Sequence, residues 1–433
     1  MRGRQIAGLD IGSTKICLAA GSVGRSGIEA AGAVSVASRG LRKGVVVDID
    51  ETANSISLAV REARSSLGMD IKAAYVGISG GHITGRESSG AAGIRGKEVD
   101  TGDLERVMDS ASAIYVPLDR EVLHVLPSEY IIDGQDGISR PLGMAGVRLE
   151  VKVQVLTASQ AALGNVERAL DRAGVKPMEM VFQPVAGAVA VLRQEEREQG
   201  VLLMDMGGGT TDIALFKGGS LRRAGVIPIG GVHATNDIAV GLKLPQDEAE
   251  RLKRLHGLGP EKANLFDDGQ DVAARGINGK PVKVSYAGLS RIIRPRMEEL
   301  FDLIKEEAQP WIMKYQPLCA VITGGASRMG EVVRMAERWL GLPVRTGRPG
   351  KVPPDCDSRE LAFPEAMRDP AHSAAAGLLL YGFEAEGGMK AVMSNSFSDS
   401  MGTVFEKGRA LVKKLKDKGM GFEKIKNFGQ KEV

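Results

Sequence analysis

Asp205-Met206-Gly207-Gly208-Gly209-Thr210-Thr211-Asp212 is the stretch on which the fold turns. It grows out of an apolar run, Val201–Met206, that reads as a buried strand, and it leads into a second strand-like run, Ile213–Phe216. A strand thus delivers an acid to a glycine turn rich in hydroxyls, and another strand leads away. The layout occurs a second time near the start of the chain. Ile6–Leu9 runs into Asp10-Ile11-Gly12-Ser13-Thr14-Lys15, and Ile16–Ala20 follows. Alone, the earlier turn, at 10–15, reads as a hairpin with a surface lysine, and the one at 205–212 as a flexible hairpin. That reading does not explain why both place Asp before Gly, about half a chain apart. Two similar subdomains facing each other do explain it.

The chemistry of such turns is anion binding. Glycine lets the backbone approach a ligand closely. The N–H groups of Gly12, Ser13 and Thr14, and those of Gly207, Gly208, Gly209 and Thr210, would point at phosphate oxygens. Lys15 adds a full positive charge. Asp10 and Asp205 would face Mg2+ through water, because magnesium sheds its water reluctantly. A third glycine turn, Ile322-Thr323-Gly324-Gly325-Ala326-Ser327-Arg328, follows the strand-like Ala320–Thr323 and precedes a helical pattern over Met329–Leu340. There the backbone would approach a flat ring such as adenine. Between the halves lies Gln183-Pro184-Val185-Ala186-Gly187-Ala188.

Taken together, and in this order, these segments resemble the phosphate 1, connecting-helix, phosphate 2 and adenosine signatures of the superfamily of actin, heat-shock chaperones and sugar kinases. The resemblance implies an α/β, actin-like (ribonuclease H-like) two-lobed fold with duplicated subdomains, and ATP with Mg2+ as cofactors. It implies roles in catalysis for Asp10, Asp205 and Gln183, the last orienting the water that attacks the γ-phosphate. An amide positions water but accepts protons poorly, so hydrolysis is expected to be slow at most.

Further stretches are similar to the FtsA family of bacterial cell-division proteins. They include Ser38-Arg39-Gly40-Leu41-Arg42-Lys43-Gly44, Val122–Tyr130, Pro141–Leu149, Val226-Ile227-Pro228-Ile229-Gly230-Gly231 and Asp247–Gly257. The likeness spans roughly residues 4–383. It implies domain 1A over 1–82 and 162–198, an inserted domain 1C over 83–161, domain 2A over 199–237 and 312–383, and domain 2B over 238–311. The segment 83–161 is also the one richest in short strands and turns, with one helix near Asp103–Ala113. By the same likeness Glu250 and Lys253, one helical turn apart, would touch ribose and adenine, and Gly230 and Gly231 would close on the phosphates. The family implies self-association into filaments, docking of the tubulin-like FtsZ on domain 2B, and contact of domain 1C with later membrane proteins of the divisome. Arg291, Arg294 and Arg296, on a basic helix over Leu289–Ile304, are the expected FtsZ contact, although such charges equally suit a solvated face. The implied location is the cytoplasmic face of the membrane at the division site.

Beyond a small, polar stretch at 384–403 that reads as a flexible linker, residues 404–433 carry nine Lys/Arg and four Asp/Glu, a net of +5 against +3 for the whole chain. Leu411 and Leu415 recur at helical spacing among lysines, and Phe422, Ile425 and Phe428 form a second apolar stripe. Such a segment suits an anionic membrane surface, apolar side down. The aromatics favour the second stripe as the inserting one.

The composition narrows the remaining options. Of 433 residues, 43% are hydrophobic and 26% charged, as in soluble globular proteins. A net charge of +3 gives no support for nucleic-acid binding. Cys17, Cys319 and Cys356 are far apart, which argues against zinc and disulfides and fits a reducing cytosol. Cys17 and Cys319 lie in strand patterns and read as inert buried thiols. His124, between apolar residues, reads as structural. No signal peptide is expected before Ile6–Leu9, and no run is long enough to span a bilayer. A small-molecule kinase of the superfamily would need an acid–base Asp near a sugar pocket, for which no motif is evident. A chaperone would need a large peptide-binding domain, and about 50 residues after 383 are too few. A pilus-assembly relative with a similar insertion would not be expected to carry the basic tail.

Overall fold

The computed structural model describes residues 4–24, 27–258, 271–350 and 363–386. Its first half begins with a three-stranded meander: β1 (Arg4–Ile11), β2 (Lys15–Gly24) and β3 (Gly27–Ala37). A short hairpin follows, β4 (Leu41–Arg42) and β5 (Val45–Val46), then helix α1 (Ile49–Leu67) and strand β6 (Ala73–Ile78). Helix α1 starts where Asp48 accepts from the Glu51 backbone N–H and stops at Gly68, whose φ of 66° suits glycine. Its apolar stripe, Ala53, Ile56, Ala59 and Ala63, is buried on the sheet, as the spacing predicts.

The chain then leaves this sheet and builds another: β7 (Thr84–Gly93), α2 (Thr101–Ser112), β8 (Arg120–Ile132), β9 (Gln135–Ile138) and β10 (Arg148–Ser159), in the order β7-β10-β8-β9. Helix α2 lies directly on β7. A Cβ on Gly90 would fall 2.6 Å from the Val107 carbonyl oxygen, so only glycine permits that approach. The first half resumes with α3 (Gln160–Ala173) and β11 (Lys176–Phe182), then α4 (Gln183–Val191) and α5 (Gln194–Gln199) lead across.

The second half repeats the first. Strands β12 (Val201–Met206), β13 (Thr211–Lys217) and β14 (Ser220–Ile227) form its meander. An excursion follows through α6 (Gly231–Leu242), α7 (Gln246–His256), the hairpin β15 (Asp271–Arg275) and β16 (Pro281–Ser285), and the 30-residue α8 (Tyr286–Tyr315). The half closes with β17 (Cys319–Thr323), α9 (Val332–Leu340) and β18 (Val344–Thr346), and α10 (Ser373–Ala385) ends the described chain. The two large sheets share one topology. Their orders are β3-β2-β1-β6-β11 and β14-β13-β12-β17-β18. In each, the first three strands pair antiparallel and the last two join in parallel. The duplicated α/β fold expected from the two hairpins is therefore present. Central strands such as β12 are buried on both faces and read as continuous apolar runs.

Three expectations need correction. Domain 2A is expected to run to 383, but α10 (Ser373–Ala385) packs on the first half. Leu379, Ala375 and Phe383 join Ile6, Cys17 and Ala19 in one apolar cluster. The helix is apolar nearly all round, so it needs cover on both sides and finds it between β1 and α4. The same apolar run carries α10 through Glu384 and Ala385, two residues into the expected linker; residues 387–403 lie outside the described residues. The helix read over Met329–Leu340 starts only at Val332. A single 3-10 turn spans Gly325–Arg328, and Glu331 at the helix start is held left-handed at φ 65°. The tail 404–433, with Leu411, Leu415, Phe422, Ile425 and Phe428, lies outside the described residues, as does Cys356.

Candidate functional site

Asp10 and Asp205 each stand near the end of a first strand, and each glycine turn closes with the same bond. Gly12 N–H donates to the Lys15 carbonyl at 3.1 Å, and Gly207 N–H to the Thr210 carbonyl at 2.9 Å. The two turns meet face to face. A Cβ on Gly209 would fall 2.5 Å from Ser13 Oγ, and one on Gly208 would collide with the Thr14 side chain. Ser13 Oγ also accepts from Gly44 N–H at 2.8 Å, which draws the β4–β5 hairpin over the turn. Between the halves lies a cavity of about 940 Å³, large enough for a nucleotide.

The positions proposed from sequence converge on this cavity. Asp10, Gly12 to Lys15, Gln183, Asp205, Gly207 to Thr210, Gly231, Glu250, Lys253, Gly324, Gly325 and Ala326 line it. Gly230 and Ser327 do not. A Cβ on Gly230 would meet the Gly207 carbonyl at 2.6 Å, and Ser327 Oγ donates to the Gly324 carbonyl at 2.7 Å, so both shape the wall from behind. Gly324 holds φ 85°, where a Cβ would strike the β12 backbone. Helix α6 starts at the cavity: Gly231 N–H donates to Gly207 O at 3.0 Å and Val232 N–H to Gly208 O at 2.8 Å. Lys253 Nζ, buried, donates to Gly231 O, Thr235 Oγ1 and Glu250 Oε2 at 2.9, 2.8 and 2.6 Å.

The electrostatics are unbalanced. Gln183 Nε2 donates to Asp10 Oδ1 at 2.6 Å. Burial pushes the Asp10 carboxyl up to about 6, against the pull of Lys15. Burial, aided by the charge of Asp10, pushes Asp205 up to about 7. Lys15 Nζ is buried without a hydrogen-bond partner. An orphaned ammonium beside turns of inward N–H groups is a cost that an anionic ligand would relieve. Among the described residues no three His, Cys, Asp or Glu side chains gather closely enough to hold a metal directly.

Sequence reasoning missed Asp247, Arg254 and Arg328, which line the cavity, and Ser79 and Asp212 beside the second turn. Asp212 is buried and pairs in register with Asp205 across the hairpin. Burial and the charge of Asp205 raise its pKa well above the ordinary carboxylate range. Ser79, just past β6, donates to Asp212 Oδ1 at 2.6 Å and lies 3.1 Å from Thr210 Oγ1. For Asp212 the signal was in the quoted stretch itself, since an eight-residue hairpin segment with Asp at both ends places those acids side by side. Elsewhere, His124 accepts from Phe182 N–H at 3.1 Å and is structural. Cys17 is fully buried, whereas Cys319 is only partly so, because it starts its strand. Arg296 on α8 is tied to Asp237 at 2.6 Å and to Glu299, Arg291 is exposed and Arg294 half-buried.

The raised carboxylates fix the sign of a pH effect. Unfolded Asp titrates near 3.8, and folded Asp205 near 7, so the folded chain binds more protons between these values and loses stability as pH rises through them. His82, His256 and His372, all lowered by burial, act oppositely below pH 6.5. Comparison with Asp205→Asn cancels them. Without nucleotide, Asp205→Asn is expected to gain apparent Tm over wild type on going from pH 5 to pH 8. An unchanged difference in thermal unfolding at the two pH values would show that Asp205 is not strained by burial.

The chain is similar to known proteins in sequence and in fold. A family model described as "SHS2 domain inserted in FTSA" matches residues 80–157, and one described as "Cell division protein FtsA" matches residues 202–377. The chain is 39% identical over 403 residues to the cell division protein FtsA of Pseudomonas aeruginosa, covering 92% of this chain and 94% of that one. It is 32% identical to the FtsA of Escherichia coli K12, covering 92% and 95%, and 33% identical to that of Bacillus subtilis, covering 86% and 82%. Among solved structures, a chain of a PilM-PilN type IV pilus biogenesis complex superposes with a TM-score of 0.63 at 20% identity, over 88% of this chain and 99% of that one. MreB5 of Spiroplasma citri bound to ADP does so with a TM-score of 0.51 at 14% identity, over 89% and 98%. At these identities the structures speak for the fold alone, which is actin-like.

Proposed function

The chain belongs to the FtsA family of cell division proteins, and from that premise we propose that it binds ATP between its halves and ties FtsZ filaments to the inner face of the cytoplasmic membrane. The observation that carries the nucleotide reading is the meeting of two glycine hairpins on one cavity, with Lys15 Nζ buried beside them without a hydrogen-bond partner. The triphosphate would lie against Gly12 to Lys15 and Gly207 to Thr210, with the base toward Gly324, Gly325 and Ala326 and the ribose toward Glu250 and Lys253. Mg2+ would supply charge neutralisation of the phosphates, keeping its water and facing Asp10 and Asp205. The solved MreB5 of this fold holds ADP. Gln183 gives its N–H to Asp10 and keeps a carbonyl to hold water. With no strong base at that position, turnover would be slow.

For the division role, residues 84–159 with their own sheet would act as domain 1C, the surface for later divisome membrane proteins, and 231–315 would include domain 2B, the FtsZ-docking side. Arg291 and Arg294 would stand on that side; Arg296 is paired with Asp237 and Glu299. Head-to-tail self-association would repeat these contacts along a filament. Among the described residues no helix is long and apolar enough to cross a membrane. The basic, amphipathic 404–433 would supply attachment, each lysine near an anionic surface contributing ~1 kcal/mol.

Co-pelleting with phosphatidylglycerol-containing liposomes and purified FtsZ tests both parts. The full chain is expected to carry FtsZ into the pellet in the presence of ATP, and a chain lacking 404–433 to leave both in solution. FtsZ remaining in the supernatant with the full chain, with or without ATP, would remove the tether.

A further inference from the structure

Strand β14 packs against β7 and β8 of the inserted sheet, and the segment that follows it reaches the cavity at Gly231. Arg222 Nη1 lies 3.6 Å from Glu129 Oε2 on β8, a carboxylate that Lys152 on β10 also binds at 3.0 Å. Arg223 Nη1 donates to Glu87 Oε2 on β7, with Lys314 Nζ of α8 4.0 Å from the same oxygen. The Arg222–Glu129 pair is sheltered, its side chains 14% and 16% exposed, whereas those of Arg223 and Glu87 are 25% and 37% exposed. Ala224 packs so closely that a Cβ on Gly85 of β7 would lie 3.3 Å from its carbonyl. Ala224 and Val226 also sit on the same apolar cluster as Leu123, Leu126 and Leu156 of the insert. Seven residues beyond Ala224, Gly231 N–H is bonded to Gly207 of the second glycine turn.

A second connection runs through the root of the insert. Ser79 holds Thr210 of the same turn and Asp212 on β13 just after it, and the chain passes from it through residues 80–83 into β7. Arg120 stiffens that root. Its guanidinium donates to His82 O and Thr84 Oγ1 on the outgoing strand, at 2.8 and 2.7 Å, and to Thr157 O on the returning one at 2.8 Å. The turn at 207–210 is thus tied to the insert from two sides.

We infer that the insert 84–159 is mechanically coupled to the nucleotide cleft, through β14 with its Arg222–Glu129 and Arg223–Glu87 ion pairs and through Ser79. Nucleotide binding and engagement of the insert by a partner are then linked, each changing the affinity for the other by the same factor. The inference rests on the nucleotide reading. Its physical basis is that packed interfaces between rigid elements shift between discrete arrangements rather than bend continuously.

Hydrogen exchange of the full chain with and without Mg·ATP tests it, with ATP affinity measured by calorimetry on the same samples. In wild type, saturating ATP is expected to slow exchange in 84–93 and 120–132 by at least about fivefold, the lower end of ordinary couplings. Arg223→Glu is expected to lose most of that response while still binding ATP, and the exchanged pair Glu87→Arg with Arg223→Glu to regain it. Two results overturn the inference alone: ATP binding with no change in the insert, or a response undiminished in Arg223→Glu. Should Arg223→Glu fail to fold, the wild-type response and the exchanged pair decide. Absence of ATP binding to wild type overturns both this coupling and the nucleotide reading.

Discussion

Asp205→Ala is expected to abolish magnesium-dependent ATP binding while leaving the chain folded. The carboxylate stands near the end of β12, buried, with its pKa pushed up by its surroundings and by Asp10. A bound Mg2+ would favour its charged form, so the site's strain without ligand becomes affinity with it. Removing the acid is expected to cost at least a hundredfold in affinity for Mg·ATP, equivalent to about 2.7 kcal/mol. Affinity for ATP without magnesium should fall far less. Calorimetry with and without the metal separates the two. Equal losses in both conditions would mean that Asp205 shapes the turn rather than serving the ion, and unchanged affinity would place the site elsewhere.

The second large effect concerns stability. Gly377 lies in α10 where that helix crosses α4. A Cβ there would fall 3.0 Å from the Gly187 backbone nitrogen and closer still to the Ala186 carbonyl. No rotamer relieves a clash of Cβ with backbone, so α10 must lift off the first sheet. Gly377→Val is expected to destabilise the chain by more than about 3 kcal/mol, at the severe end for single substitutions. Gly187, on the facing helix, is the control, because its own Cβ would meet nothing within 4 Å. Gly187→Ala should be neutral or stabilise by up to ~1 kcal/mol, the usual difference between Gly and Ala inside a helix. Urea unfolding of both variants reads this. Similar midpoints for the two would mean that the α4–α10 crossing does not hold the first half together.

The repeated hairpin made the fold legible. Asp before a glycine turn, between two apolar runs, occurs twice, and in three dimensions each copy is the core of a sheet with the same strand order. Element types followed from local pattern: α1 falls where its apolar periodicity places it, and β6 and β12 where continuous apolar runs do. What local pattern could not give was the partner of each buried surface. Helix α10 is apolar all round, and nothing in Ala374–Phe383 says that it returns to the first half. The break before Val332 depends on how Gly324 passes under β12, a tertiary contact invisible in Gly324-Gly325-Ala326. Of the site, the turns were legible because glycine has a chemical reason to be there. Ser79 was not, because its role arises only when β6 and β13 are brought together across the cleft. The ion pairs of Arg222 and Arg223 with the insert join residues 93 and 136 apart in sequence, a separation over which periodicity carries no information.

A crystal structure of the full chain with Mg2+ and a non-hydrolysable ATP analogue tests the shared cleft most directly. The phosphates are expected between Gly12–Lys15 and Gly207–Thr210, within hydrogen-bond reach of backbone N–H groups from both turns, with the Lys15 ammonium on a phosphate oxygen. An analogue held by one turn only, or bound away from both, would contradict the assignment of the duplicated hairpins to a single nucleotide.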